Sequence, residues 1–219
     1  IVQLTDGIES SERGKFRHYM LKEIYEQPEV IRNTLTGRLG KNKVLEEAFG
    51  TNAKDIFEKV EAVQIVACGT SYHSGLVAKY WLEDWGGLPC SVEVASEFRY
   101  RKTVVQKNSL FITISQSGET ADTLAALRYC AGKAAEIWSV TNVAESSIAR
   151  ESDVNFPIYA GIEIGVASTK AFTCQLTVLL AIAMKAAGVR GAMSARAHET
   201  LSQAIFDLPA LINRALDQR

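Results

Sequence analysis

The chain has 219 residues, 47% of them hydrophobic and 22% charged, which is enough apolar content for one sizeable core. Its 24 basic and 25 acidic residues leave a formal net charge of -1, so no basic field marks a nucleic-acid surface and no acidic tail stands out. The four cysteines, Cys68, Cys90, Cys130 and Cys174, are far apart and form no CxxC pair. Three lie in or beside apolar segments, the pattern of buried reduced thiols and of a cytoplasmic rather than a secreted chain. No signal peptide is visible. The longest apolar stretch, "AFTCQLTVLLAIAMKAAGV", is interrupted by Gln175 and Lys185 and is short for a membrane span. A first residue of Ile1 reads as a fragment or a processed product.

Residues 1–14 are polar and weakly patterned, as in a linker or arm. From Lys15 to Leu39 apolar residues recur at helical spacing, and Pro28 is expected to divide this stretch into two helices. A further short helix is expected around Val44 to Lys59. Strands then alternate with helical patterns. The strands are "AVQIVACG" (62–69), "CSVEVAS" (90–96), "SLFITIS" (109–115), "EIWSVTN" (136–142) and "VNFPIY" (154–159). Helices are expected over 71–85, from about Glu119 to Ala131, and near Ser146 to Glu151. The strands are nearly continuous apolar runs, as in a parallel sheet covered on both faces. After Gly165 the strands stop. Thr169 to Ala187 is a long apolar helix, and Ala195 to Leu216 a last one, expected to be interrupted near Pro209. The pattern is a doubly wound α/β domain with helical additions at both ends.

In such sheets ligands sit beyond the carboxyl ends of the strands, where helix N-termini point outward. Three stretches put small polar residues there or at a helix start: "CGTSYHSG" (68–75), "SQSGETADT" (115–123) and "GVASTKAFT" (165–173). An ordinary capped turn or an anion cradle satisfies any one of them alone. Three in one domain, two directly after strands, favour the anion. Ser115, Ser117 and Thr120 offer hydroxyl donors, Gly118 lets the backbone come close, and the first helical turn adds N–H groups. No "GxxxxGK[ST]" and no GxGxxG occur, so a phosphate monoester on a small molecule suits the pattern better than a nucleotide.

Other chemistry-bearing residues have ordinary readings. His18, His73 and His198 have no metal-ligand spacing, although His73 follows the first loop. Glu119 suits a helix's first turn more than a general base, and Cys68 closes an apolar strand. "EFRYRK" (97–102) reads as a solvated turn, and Lys170 is a secondary candidate for an anion contact.

With "FRHYMLKEIYEQP" upstream, the segments "ACGTSYHSG", "ASEFRYR", "ISQSGETADTL" and "EIGVASTKAFTCQL" closely resemble the isomerase half of the glutamine–fructose-6-phosphate aminotransferase (glucosamine-6-phosphate synthase) family. "SQSGET" alone indicates only the wider sugar isomerase (SIS) class; five motifs in order are far more specific. The resemblance runs from about Phe16 to the end of the last helix. It implies a flavodoxin-like, doubly wound, five-stranded parallel sheet with extra helices at both ends, residues 15–219 being the first of two SIS domains. It further implies that Ser115, Gln116, Ser117 and Thr120 hold the phosphate of fructose 6-phosphate or glucosamine 6-phosphate. Gly69, Thr70 and Ser71 of the first loop would help, and Val166 and Ser168 would lie against the sugar. Gln116 enters on the resemblance only.

Family members carry an N-terminal glutaminase domain and a second SIS subdomain, and ammonia passes between the two active sites. The family's glutamate base, lysines and ring-opening histidine belong to that second subdomain and match nothing in this chain. The expectation is therefore a binding half-site without catalytic residues, metal or organic cofactor, in a homodimer, with no nucleic-acid or membrane partner. The alternative is an SIS-type module that senses a sugar phosphate and regulates something else. Such regulators carry a DNA-binding helix-turn-helix ahead of the SIS domain, and the first 60 residues show no basic recognition helix.

Overall fold

In the computed structural model, residues 12–40, 43–50 and 52–218 are described. The expected arm over 1–14 falls outside them except for its last three residues, which are exposed. Helix α1 (Tyr19–Leu35) opens the fold. Pro28 does not divide it, contrary to expectation, and the reason is local. A proline removes the N–H that would bond the carbonyl four residues back, here that of Ile24. The side-chain amide of Gln27 donates to that carbonyl instead, at 3.0 Å. The single helix expected around Val44 to Lys59 is a 3-10 turn (Glu46–Phe49) and α2 (Ala53–Lys59), separated at Gly50, whose φ of 77° leaves the helical region.

The sheet consists of β1 (Ala62–Ala67), β2 (Cys90–Val94), β3 (Ser109–Ser115), β4 (Glu136–Thr141) and β5 (Val154–Pro157). All pairings are parallel, in the order β2-β1-β3-β4-β5. Between them run α3 (Gly69–Asp84), α4 (Ala95–Tyr100), α5 (Ala121–Cys130) and α6 (Ser147–Glu151). The short α4 was not foreseen: "EFRYRK" is a helix end rather than a turn. Arg99 in it pairs with Asp122 at 2.9 Å, and Arg101 just after it pairs with Glu93. Helices α7 (Lys170–Val189) and α8 (Ala195–Leu216) close the fold. Helix α8 continues through Pro209, which is buried.

Strands β1, β3 and β4 feed two cores, and β2 and β5 feed the larger one. Ile65, Ile112, Ile114, Trp138, Val140 and Phe156 join the larger cluster with α1, α2, α3, α7 and α8. Val66, Phe111 and Ile137 join the smaller one with Phe98 of α4, Leu127 of α5 and Ile148 of α6. Burial on both faces is why the strands show no polar alternation. Helix α7 is long and apolar enough to cross a membrane by length and composition, but 67% of its apolar window is buried within the fold. Burial pushes the thiols of Cys90 and Cys130 up to about 12 and that of Cys174 up to about 11, so all three stay protonated and act as packing.

Gly75 lets α3 lie close on the sheet: a Cβ there would stand 2.9 Å from Ile65 Cγ2 and 3.1 Å from Val92 Cγ1. Gly75→Val should destabilise the chain by about 1–3 kcal/mol through overpacking. Urea denaturation checks this; an unchanged midpoint would show that the interface is looser than described.

Candidate functional site

The chain leaves β1 outward to β2, crosses back to β3, and then runs outward the other way through β4 and β5. The order therefore reverses between β1 and β3, the position at which open α/β sheets leave a crevice at their carboxyl ends. Ala67 is paired with Ile114 in the register, so Cys68 and Ser115 emerge there side by side. The loops 68–71 and 115–120 flank the crevice.

The second loop is a small hydrogen-bonded cage. Ser115 ends β3 and is 2% exposed. Its Oγ accepts the Gly118 N–H at 3.0 Å and lies 2.9 Å from Thr120 Oγ1. Ser117 is exposed, and its Oγ accepts the Glu119 N–H at 3.2 Å. Gly118 has φ 68°, and a Cβ on it would run into the Ser146 side chain; only glycine fits. Its carbonyl accepts the Ile148 N–H at 3.0 Å. Thr120 is the N-cap residue of α5, yet its side chain makes no cap bond, because Ser115 engages it. The first-turn N–H groups of α5 have no intrahelical carbonyl to reach, and no side chain of the N-cap takes them. They and the two hydroxyls converge at the positive end of a helix.

Two carboxylates nearby would oppose an anion, and both are occupied. Asp122, in the first turn of α5, is paired with Arg99. Glu119 accepts the Ser147 N–H at 2.7 Å and so closes the start of α6. That backbone bond first, and a bond with the Ser147 side chain second, hold the Glu119 carboxyl below its ordinary value of 4.5. A carboxylate committed in this way is a cap, and the general-base reading of Glu119 lapses.

In the first loop Gly69 (φ 57°) and Thr70 are exposed at the start of α3, which also has no side-chain cap. Ser71 points elsewhere. It is 7% exposed, and its Oγ accepts Gln175 Nε2 of α7 at 3.0 Å, so it locks α3 to α7. In the third stretch Val166 is fully exposed, while the half-buried Ser168 has a hydroxyl without a protein partner. Lys170 is turned inward to Glu26 at 2.8 Å, which removes it as an anion contact.

Asn142 escaped the sequence reading. It follows β4 immediately, and its N–H donates to the Gln116 carbonyl at 3.1 Å. Its side chain donates to the Gly161 carbonyl at 2.7 Å and accepts the Ala160 N–H at 2.9 Å. It thus ties the second loop to the segment that leads into the third. The usable signal was its position, a polar residue at the carboxyl end of a buried strand. Among the described residues no group of three or more His, Cys, Asp or Glu is arranged to hold a metal. A cleft of about 530 Å³ beside the starts of β1, β2 and β3 lies at the other end of the sheet, where Arg101 is neutralised by Glu93. Among the described residues no helix start lines that cleft.

The SIS domain model matches residues 56–185, more than half of the chain. The chain belongs to the SIS domain family. Glutamine–fructose-6-phosphate aminotransferase (isomerizing) of Pseudomonas putida is 54% identical over 220 residues, covering 98% of this SIS chain and 35% of that protein. The enzyme of the same name from Haemophilus influenzae is 53% identical over 209 residues, 95% of this chain and 34% of its own length. The SIS chain thus spans about a third of the length of these curated relatives. Among solved structures, the C-terminal domain of glucosamine-fructose-6-phosphate aminotransferase from Francisella tularensis superposes with a TM-score of 0.90 at 45% identity, covering 94% of this chain and 58% of that one. Glucosamine-6-phosphate deaminase from Thermotoga maritima shares the fold at a TM-score of 0.64 and 21% identity, over 88% of this chain and 54% of that one.

The Glu119 cap gives a pH signature. Because its folded pKa is depressed, its stabilisation is fully present above about 4.5 and is lost as pH falls through the folded value. Wild type should melt above Glu119→Gln by a constant margin near neutrality, and the two curves should converge below about pH 4.5. Thermal melts across pH 3 to 7 test this; a margin that persists at the acid end would deny Glu119 a charge-dependent role.

Proposed function

We propose that this chain is the phosphosugar-binding half of the isomerase portion of a glutamine–fructose-6-phosphate aminotransferase. The parent protein would convert fructose 6-phosphate and glutamine to glucosamine 6-phosphate and glutamate. The observation that carries the reading is the Ser115–Gly118–Thr120 cage at the uncapped start of α5, set where β1 and β3 part. A phosphate there would receive the Ser117 hydroxyl proton, the one proton of the Ser115–Thr120 pair that is not held between their two oxygens, and N–H groups from the first turn. Gln116, Gly69 and Thr70 would border it, Val166 and Ser168 would meet the sugar, and Ser71 would act by holding α3 in place. Each hydrogen bond to a charged oxygen contributes about 1.5–3 kcal/mol net. Four of them, less the cost of immobilising the ligand, fit affinities from about micromolar to millimolar.

We assign this chain binding and orientation but no catalytic residue, metal or organic cofactor. Its parent would supply a glutaminase domain and a second SIS domain, and the isomerase portion would form a homodimer. The regulatory alternative is not favoured, since the relatives at 54% identity bear the aminotransferase name.

Calorimetric titration with fructose 6-phosphate and with fructose tests the assignment. The phosphosugar should bind saturably and fructose should not. Ser115→Ala and Ser117→Ala should each weaken binding by about tenfold or more. Equal binding of fructose, or a double variant as good as wild type, would overturn the cradle. Failure of the unmodified chain to bind would overturn the claim that the cradle is complete within it.

A further inference from the structure

The third stretch owes its shape to a residue far away in sequence. Glu23, in α1, is 2% exposed. Its Oε1 accepts the backbone N–H of Ile164 at 2.6 Å and that of Gly165 at 2.9 Å. Its Oε2 is buried without a hydrogen-bond partner, and a Cβ on Gly165 would run into that oxygen. The next neighbour of such a Cβ outside Glu23 is Met20 Cα at 3.6 Å, an ordinary contact. Gly165 has no left-handed φ, so what a side chain here would collide with is the Glu23 carboxyl end and not the backbone.

Other bonds fix the frame around this contact. Glu26, one turn on from Glu23, pairs with the buried Lys170 at 2.8 Å. Glu163 Oε1 accepts the N–H groups of Thr169 at 2.9 Å and Ala171 at 3.2 Å, and so caps α7. At the far end of α1, the Thr34 hydroxyl donates to the Ile158 carbonyl, and Arg38 donates to the Pro157 carbonyl at 2.5 Å. Helix α1 therefore lies along the whole segment from β5 to α7. Residues 166–168 are left as the short apex between two carboxylate-held backbone points.

We propose that Glu23 is a positioning residue: through its carboxylate on the Ile164 and Gly165 amides it fixes residues 166–168, and so sets where Val166 and Ser168 meet the sugar of the bound phosphosugar. The proposal rests on the phosphosugar reading for its ligand, and extends the site to α1, which lies outside the matched SIS region of 56–185. It separates two jobs: the β3–α5 loop grips the phosphate, and α1 aims the sugar-side loop.

Two measurements on the full 219-residue chain decide it. Hydrogen exchange reads the clamp without ligand. The Ile164 and Gly165 amides should be protected in wild type and in Glu23→Gln, whose amide oxygen still accepts, and should exchange about tenfold faster or more in Glu23→Ala. Unchanged exchange in Glu23→Ala would overturn the clamp whatever the ligand does. Calorimetry with fructose 6-phosphate and with inorganic phosphate reads the positioning. Glu23→Ala should weaken fructose 6-phosphate by about tenfold and leave inorganic phosphate within about twofold, with Glu23→Gln close to wild type. Gly165→Ala should show the same defect, and the double variant Glu23→Ala, Gly165→Ala should be no worse than Glu23→Ala alone, because the collision leaves with the carboxylate. Equal losses for both ligands, or additive losses in the double variant, would overturn the positioning role and leave only a packing role. If the unmodified chain bound neither ligand, the claim that the cradle is complete within it would fall and take the sugar-aiming role of this chain with it, while the exchange result would still stand on its own.

Discussion

β3 is buried at all seven of its positions, and that constraint organises the rest of the molecule. A strand covered on both faces has no side on which to show a polar group to water, so unpaired polarity is tolerated only where the strand stops. Within β3 the two hydroxyls short of the carboxyl end are spent on backbone carbonyls, Ser109 on that of Gln106 at 2.6 Å and Thr113 on that of Trp138 at 3.4 Å. Ser115 is the first position at which a hydroxyl can be left for something else. The reversal of strand order at β1 and β3 places a second such strand end beside it. Donors gather at one end of the sheet because the fold excludes them from its middle.

An unmade N-cap bond is not by itself a mark of the crevice, since α1, α2 and α4 also lack one; what distinguishes α5 is where its capping hydroxyl goes. α6 and α8 are closed by serine caps, Ser146 accepting from Ala149 and Ser194 from Ala197. α7 is closed by Glu163. At α3 and α5, which border the crevice, the N-cap side chains make no such bond. At α5 the capping residue type is present and diverted, since Thr120 turns to Ser115. Leaving a cap unmade costs about 1 kcal/mol, which is well below what two charge-assisted bonds to an anion return. The same economy governs the carboxylates. Asp122 is offset by Arg99, and Glu119, which keeps its charge, is engaged by the start of α6.

Much of this was legible in the sequence, for a physical reason. β3 and its loop are local: an apolar run, a hydroxyl at its end, a glycine and a helical spacing leave their mark within about a dozen residues. What could not be read is what depends on partners distant in sequence. Ser71 and Ser115 look alike in their loops, but Gln175 claims one and leaves the other at the crevice. Lys170 follows a polar loop like an anion ligand, yet Glu26 of α1 draws it inward. Pro28 reads as a helix end because the pattern does not show that the Gln27 side chain replaces the missing donor. The brief α4 lacked enough turns to show a period, although Arg99 within it neutralises Asp122.

The two loops differ in how the fold determines them. The 115–120 loop is held by the sheet itself, by β3 below, Asn142 beside it and α6 across Gly118. The 166–168 apex has no strand beneath it, and its conformation depends on carboxylates, chiefly Glu23 and Glu163, that accept backbone N–H groups. Such hydrogen bonds are directional and short in range; they fix the backbone on either side of the apex, and the apex takes its place from those two points. Under the proposed function that division suits the ligand. A phosphate is the same tetrahedral anion before and after reaction and is best met by a fixed cage. The sugar carbons change their bonding, and the residue that faces them, Val166, is fully exposed on an apex set by α1. The helix that precedes the SIS region in the chain is then part of the site rather than an appendage to it.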